Sequence, residues 1–222
     1  MSGVTPLRID IVSDVVCPWC IIGYKQVEKA LASLDRDIAA ETWWHPFELN
    51  PNMGDAGQDI GEHIQQKYGS TPEQSQSNRQ RLADIGSSLG FEFSGTKGRR
   101  IYNTFAAHKL LSVAGHQYGW RKQTALKLAL FKAYFQDDRD VSDEAVLLDV
   151  AASVALDIAA CKAWIKDEAL TAQVRDEQAH WRDQNITGVP AIVFDQRFMV
   201  PGAQSAEVFA DVISKVLLKR AG

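Results

Sequence analysis

Residues 7–20 read LRIDIVSDVVCPWC, and the place of the two cysteines in that stretch decides the fold. Leu7, Ile9 and Ile11 alternate with Arg8, Asp10 and Val12, the period-two pattern of a strand with an apolar face. From Pro18 the period changes. Ile21, Tyr24, Val27, Leu31 and Leu34 recur at steps of three and four, as on an amphipathic helix. Cys17-Pro18-Trp19-Cys20 therefore sits where a strand hands over to a helix, with Pro18 in the first helical turn, where its missing N–H is tolerated.

Working outward, residues 40–49, AETWWHPFEL, read as a second strand, and Pro46 makes it an edge strand or an interrupted one. PNMGDAGQD, residues 51–59, is a turn-rich connection. Helical periodicity then runs from about 60 to 184, in pieces over 60–68, 72–90, 101–118, 120–136, 143–155 and 158–184. Thr71-Pro72-Glu73 has the form of a helix start, with Thr71 as N-cap and Pro72 at the first helical position. Ser142-Asp143-Glu144-Ala145 is a second such start. Strand character returns in AIVFD, 191–195, then a Gln196-Arg197 turn and FMV, 198–200, which reads as a hairpin. A closing helix over about 205–220 lines up Val208, Phe209, Val212, Ile213, Val216 and Leu217.

The order is thus β-α-β, a helical block, then β-β-α. Neither end has enough strands for a stable sheet, so the two must meet in one. The expected organisation is an α/β domain of residues 1–55 plus 185–222, with 56–184 as a helical insertion.

Composition excludes several classes. The 222 residues are 45% hydrophobic and 23% charged, with 24 basic and 28 acidic side chains. A net charge of −4 does not suit a protein that lives on phosphate contacts, so no nucleic-acid partner is expected. No apolar run approaches the roughly 20 residues of a membrane span. The opening MSGVTPLRIDIV lacks the apolar core of a secretory signal, which points to the cytoplasm.

Three cysteines do not make a disulfide scaffold. A thiolate at a helix N-terminus is stabilised by the unpaired amides and the helix dipole. A second cysteine three residues on lies one turn along, where it can attack a mixed disulfide on the first. The competing reading is half a zinc site, which normally needs four protein ligands. No second CxxC or HxxxH supplies the rest, although Cys161 and a histidine are candidates. Gly188-Val189-Pro190 precedes the returning strand. A trans turn proline is the ordinary reading; a cis Val189–Pro190 bond would present the Val189 backbone to an incoming chain.

Four segments together, DIVSDVVCPWCIIG at 10–23, HPFELNP at 45–51, AAHKL at 106–110 and GVPAIVFDQRFMVPGAQ at 188–204, resemble the DsbA-like thioredoxin superfamily. More narrowly they resemble its FrnE-like branch, related to the 2-hydroxychromene-2-carboxylate isomerases and kappa-class glutathione transferases. The resemblance spans the chain. It implies a thioredoxin fold with a large all-helical insertion, and a thiol–disulfide oxidoreductase or isomerase. Cys17 would be the exposed nucleophile, Cys20 the resolving cysteine and Pro190 the cis-proline opposite them, which sets the Val189 backbone toward substrate; Trp19, exposed if Cys17 is reactive, either contacts substrate or covers the disulfide. It implies no bound cofactor beyond glutathione as a redox partner, a disulfide- or thiol-containing protein or small molecule as substrate, and it allows a homodimer. The glutathione-dependent relatives usually carry serine where Cys17 stands; both thiols here favour disulfide exchange. A glutathione-dependent isomerase or transferase, and a redox-sensing chaperone-like module, are the rival readings.

Around the pair, Asp14 either caps the turn or takes the proton of Cys20 during resolution. His108 and His45 are buried histidines bonded to carbonyls, or groove-lining groups. His63, His116 and His180 read as surface positions, and Cys161 as a buried small hydrophobe. Lys97-Gly98-Arg99-Arg100 is a solvated loop or an anion site.

Overall fold

A computed structural model of the chain describes residues 4–94 and 99–221. The first strand, β1 (Thr5–Ser13), runs into helix α1 (Pro18–Ala32) through a short turn, and β2 (Ile38–Pro46) returns parallel to β1. At the other end of the chain, β5 (Ala191–Phe194) and β6 (Phe198–Pro201) form the hairpin, and α9 (Ala206–Ala221) closes the chain. β5 pairs antiparallel with β1, giving one four-stranded sheet in the order β2-β1-β5-β6. The two ends of the chain therefore build one sheet. Pro46 ends the edge strand β2, where the N–H that proline lacks is not needed by a neighbour.

β1 is more enclosed than its alternation implies. Ile9 and Ile11 are fully buried, but so are Asp10 and Val12. One face packs into the main core with Ile21, Phe194 and Phe209. The other face carries Val12, which packs with Ile186, Ala191 and Trp181. A central strand covered on both sides loses the apolar-in, polar-out rule. Asp10 tolerates burial because Arg8 Nη2 and His45 Nε2 each lie 2.8 Å from its Oδ1.

Between the sheet halves lie α2 (Ile60–Tyr68), α3 (Pro72–Ser88), α4 (Phe105–Tyr118), α5 (Trp120–Phe135), α6 (Glu144–Ser153), α7 (Ile158–Lys166) and α8 (Glu168–Asp183). Thr71 forms a full capping box with Gln74 at the start of α3, and Asp143 caps α6 through Val146 N. The block is not wholly helical: β3 (Gln58–Asp59) and β4 (Arg100–Ile101) pair as a short antiparallel ribbon. The helix expected from 101 starts at Phe105, because residues 100–101 are spent in that ribbon and Asn103 Oδ1 accepts from Phe105 N at 2.9 Å.

The helix expected over 158–184 is two. It breaks at Asp167, which ends α7 with extended backbone and caps α8 by accepting from Leu170 N. The break is held from α4, where the Lys109 ammonium donates to the carbonyls of Ile165 and Asp167 at 2.8 and 2.7 Å. α5 packs on the outer side of β2, and Gln123 fills the role of a missing strand there. Its Oε1 accepts from Trp44 N at 2.9 Å and its Nε2 donates to Trp44 O at 2.8 Å. An edge strand's free backbone groups need such partners once covered.

Candidate active site

Cys17 is the N-cap of α1, with extended backbone (φ −94°, ψ 112°), and Pro18 occupies the first helical position. No side chain caps this helix and its first turn carries no acidic residue. The positive end of α1 is therefore left for the sulfur of Cys17. The Cys17 Sγ lies 3.7 Å from the Val189 carbonyl oxygen, as a donor to it. The Val189–Pro190 peptide bond is cis. Pro190 sits close over α1 because residue 23 is glycine: a Cβ there would lie 3.2 Å from Pro190 Cγ. On its far side Pro190 is anchored by Gly202 N, which donates to its carbonyl at 2.8 Å. The sequence segments around residues 17–23 and 188–202 thus meet at one point, as the resemblance implied, and the bond is cis where the local reading favoured trans.

Neither cysteine is openly exposed. Cys17 has 3% of its surface free and Cys20 none, which corrects the expectation of an exposed nucleophile. Trp19 is half-buried rather than exposed, with the Arg81 guanidinium 5.6 Å over its ring. That contact brings α3 of the helical block against the CPWC turn. Both thiols, and that of Cys161, are free. Burial pushes the Cys20 thiol well above its ordinary range, and its hydrogen bond to Cys17 pushes it further. The Asp14 backbone amide and the Lys127 charge pull the other way.

Asp14 ties this turn to its surroundings. Its carbonyl accepts from Cys17 N at 3.3 Å, and its Oδ2 accepts from Leu49 N at 2.8 Å. Burial opposes its ionisation, but His108, the Leu49 amide and Lys127 outweigh it and hold the carboxyl below the usual carboxylate range. An acid held ionised in this way anchors well and is a weak proton acceptor. His108 is buried, with Nε2 3.5 Å from Asp14 Oδ1. The two atoms face each other as a long ion pair, and neither makes a further hydrogen bond among the described residues.

Lys127 was not legible as a site residue. It lies on α5, is fully buried, and its Nζ has no hydrogen-bond partner among the described residues. The ammonium lies 5.4 Å from the Trp44 ring and 5.0 Å from the Phe131 ring. Burial lowers its pKa to about 8, against the pull of charge on Cys20, Asp14 and Cys17. The available signal was its register: Gln123, Lys127, Leu130 and Tyr134 share the buried stripe of α5.

The other candidates fall away from the pair. His45 bridges Asp10 and Glu177, with nitrogens 2.8 and 2.7 Å from their carboxylates. Both its ring nitrogens are spent on these carboxylates rather than on a carbonyl. His63 is buried rather than on the surface, its Nδ1 2.8 Å from Gln58 Oε1. Arg99 and Arg100 are spent on backbone carbonyls, Arg99 on Ser94 and Phe135 and Arg100 on Ala56 and Gly57. Arg99 and Arg100 are half-buried rather than solvated; Lys97 and Gly98 lie outside the described residues. Cys161 is fully buried and no group of three or more His, Cys, Asp or Glu side chains among the described residues could hold a metal ion.

A strand–CPWC–helix unit, a cis-proline across from it and a helical block between the sheet halves define a dithiol protein of the thioredoxin fold. The chain belongs to the DSBA-like thioredoxin domain family, whose model matches residues 8–214. A structure described as a probable DsbA oxidoreductase of Streptomyces coelicolor superposes with a TM-score of 0.86, at 33% identity, over 94% of this chain and 89% of that one. The cytosolic disulfide reductase DsbM from Pseudomonas aeruginosa, solved with GSH, shares the fold (TM-score 0.63, 15% identity, 95% of this chain and 98% of that one). The uncharacterized protein YwbO of Bacillus subtilis (strain 168) is 26% identical over 220 residues, 94% of this chain and 96% of its own. No helix among the described residues is long and apolar enough to cross a membrane.

Proposed function

We propose that the chain is a thiol–disulfide oxidoreductase that works through Cys17 and Cys20. The observation that carries the reading is the Cys17 sulfur at an uncapped helix N-terminus, facing the Val189 carbonyl, with the buried Cys20 thiol one turn away. In this reading the Cys17 thiolate attacks a substrate disulfide and the substrate's other sulfur leaves. Cys20 then attacks Cys17, closes the Cys17–Cys20 disulfide and releases the second substrate sulfur as a thiolate. The Val189 backbone lies beside the sulfur where an extended substrate segment would lie.

Substrate approach is supported on the side of Leu49. Its amide is bound to Asp14, and from it opens a cleft of about 540 Å³ lined by Asn50, Met53, His63 and Lys67 among others. We include glutathione, a tripeptide thiol, among the mixed-disulfide partners. We assign the work to the cytoplasm. A glutathione pool poised at about −220 to −320 mV keeps a pair of higher potential reduced and ready to break disulfides.

The test is a redox titration. The protein is equilibrated in graded glutathione buffers, alkylated and weighed. A reversible two-electron transition that disappears in Cys17→Ser supports the reading. A glutathione adduct on Cys17 with no intramolecular disulfide would replace it with the glutathione-dependent isomerase or transferase reading.

A further inference from the structure

Helix α8 leads, through a short loop, into the segment that faces Cys17. The loop ends at Val189, whose carbonyl lies beside the Cys17 sulfur, and at Pro190, which Gly202 N pins through its carbonyl at 2.8 Å. Thr187 and Gly188 are exposed, and a Cβ on Gly188 would meet nothing within 4 Å. The anchor at the other end is Ile186. Its amide donates to the Trp181 carbonyl at 3.2 Å, and its buried side chain packs in one cluster with Val12, Ala191, Trp181 and Val189 itself. The Trp181 indole is placed by packing, since its buried Nε1 has no hydrogen-bond partner among the described residues. One of the rings it packs on is His45, 4.5 Å away between centroids. One turn back on the same face of α8, Glu177 meets His45 Nδ1 at 2.7 Å.

We propose that His45 is a positioning residue for disulfide exchange: from β2 it holds Glu177 and Trp181, and through them the Val189 backbone that receives the substrate chain. The inference rests on the dithiol reading above and deepens it by naming what sets the substrate-facing backbone. His45 acts through α8, not on the reacting sulfurs.

The grip depends on a proton. A histidinium donates from both ring nitrogens, whereas a neutral imidazole has one N–H. With the proton, Nε2 serves Asp10 and Nδ1 serves Glu177. Without it, one carboxylate faces a lone pair. Asp10 is also held by Arg8 Nε and Nη2, while Glu177 pairs with His45. Loss of the proton therefore falls on the α8 end. The charged and titratable groups around His45 are Asp10 and Arg8 on β1, Glu177 on α8 with His180 beside Trp181, and His108 on α4 and Lys127 on α5 across a narrow crevice. Asp10 and Glu177 outweigh burial and raise the His45 pKa above 6.5, so the grip holds below that value and is lost as pH rises through the raised one.

The experiment compares two mixed disulfides that share one leaving group, thionitrobenzoate. One is carried on the central cysteine of a short uncharged peptide, the other on 2-mercaptoethanol. In each, the Cys17 thiolate of the reduced full chain attacks the carrier's sulfur, a Cys17–carrier disulfide forms, and thionitrobenzoate leaves with the electron pair and is read by its absorbance. The peptide offers a backbone to Val189 and mercaptoethanol offers none. The ratio of the two second-order rates cancels the thiolate fraction of Cys17 at each pH. In the native protein the ratio should fall about fivefold from about pH 6 to about pH 10, the effect of one hydrogen bond, with its midpoint above 6.5. In Glu177→Ala it should already be about fivefold lower at about pH 6, and flat with pH. His45→Gln, which takes the ring away from Trp181, should match it, and serves if the alanine variant does not fold. Glu177→Gln should keep the ratio high and flat, because an amide can accept from the histidinium and donate to the neutral ring. A native ratio that does not change with pH, or a native ratio and profile in Glu177→Ala or His45→Gln, would overturn the proposal. So would a variant slowed equally on both disulfides, since lost stability moves both rates together. Equal thionitrobenzoate release by the native chain and Cys17→Ser would instead overturn the dithiol reading beneath it.

Discussion

Lys127→Met should make the protein more stable. The native lysine is fully buried, without a hydrogen bond, and its pKa falls from 10.5 to about 8, chiefly through desolvation. Each tenfold change in an ionisation constant is worth about 1.4 kcal/mol. The folded state therefore bears about 3 kcal/mol at pH 7 for keeping the ammonium charged. That figure already includes the attraction of Asp14 and the cysteines. The sign follows from linkage. A lysine whose pKa is depressed on folding carries its full penalty below about pH 8. The penalty fades as the unfolded chain also loses its proton, and is gone above about 10.5. Methionine fills a similar volume without charge, so urea unfolding of the reduced protein at pH 7 should show a gain of about 3 kcal/mol. For a chain of this size that corresponds to a thermal midpoint higher by about 6–12 °C. The gain should shrink steadily from pH 8 to pH 10. A variant that is less stable than the native protein at pH 7, or a gain that does not change with pH, would refute the electrostatic account.

Replacing Cys20 with Ser should leave attack by Cys17 intact and let mixed disulfides accumulate, seen as a glutathione-sized mass increase that Cys17→Ser abolishes; no adduct in Cys20→Ser would remove Cys20 from the resolving role. Gln123→Leu strips the Trp44 N–H and carbonyl of their partners at the buried edge of β2, which should cost about 2–4 kcal/mol; an unchanged urea midpoint would show that the edge does not need them. His45 is desolvated, but Asp10 and Glu177 raise its pKa, while the Asp10 carboxyl is lowered despite its own burial, by His45 and Arg8. The cluster's contribution is therefore complete between the ordinary carboxylate pKa of 3.8 and the ordinary histidine pKa of 6.5, fades at lower pH as Asp10 is protonated, and fades as pH rises through the raised pKa of His45. His45→Gln should cost about 2 kcal/mol near pH 5.5 and clearly less near pH 9; equal costs at both would contradict the pairing.

Local chemistry made much of the fold legible. Cys17-Pro18-Trp19-Cys20 announced a strand-to-helix turn because proline and a change of period act within a few residues. Thr71-Pro72 and Asp143 announced helix starts for the same reason, through caps that reach only three residues along the chain. What stayed hidden depends on contacts across the molecule. Nothing local marks Asp167 as a break, because part of what holds it is Lys109 on α4. Nothing local marks Asp10 as buried: Arg8 is a neighbouring partner, but His45, which completes the pairing, comes from β2.

The same distinction bears on what the helical block is for. Cys17 draws on its own helix terminus and on Val189, both parts of the sheet domain. Cys20 draws on Asp14 from that domain, but also on Lys127, which the block supplies on α5, while His108 on α4 faces Asp14. The nucleophile is thus built into the sheet domain, while the environment that lets the second thiol ionise is completed from outside it. Such a division lets the pair change character without altering CPWC itself. A substitution on the buried stripe of α5 would therefore reach the surroundings of Cys20 and leave the Cys17–Val189 contact in place.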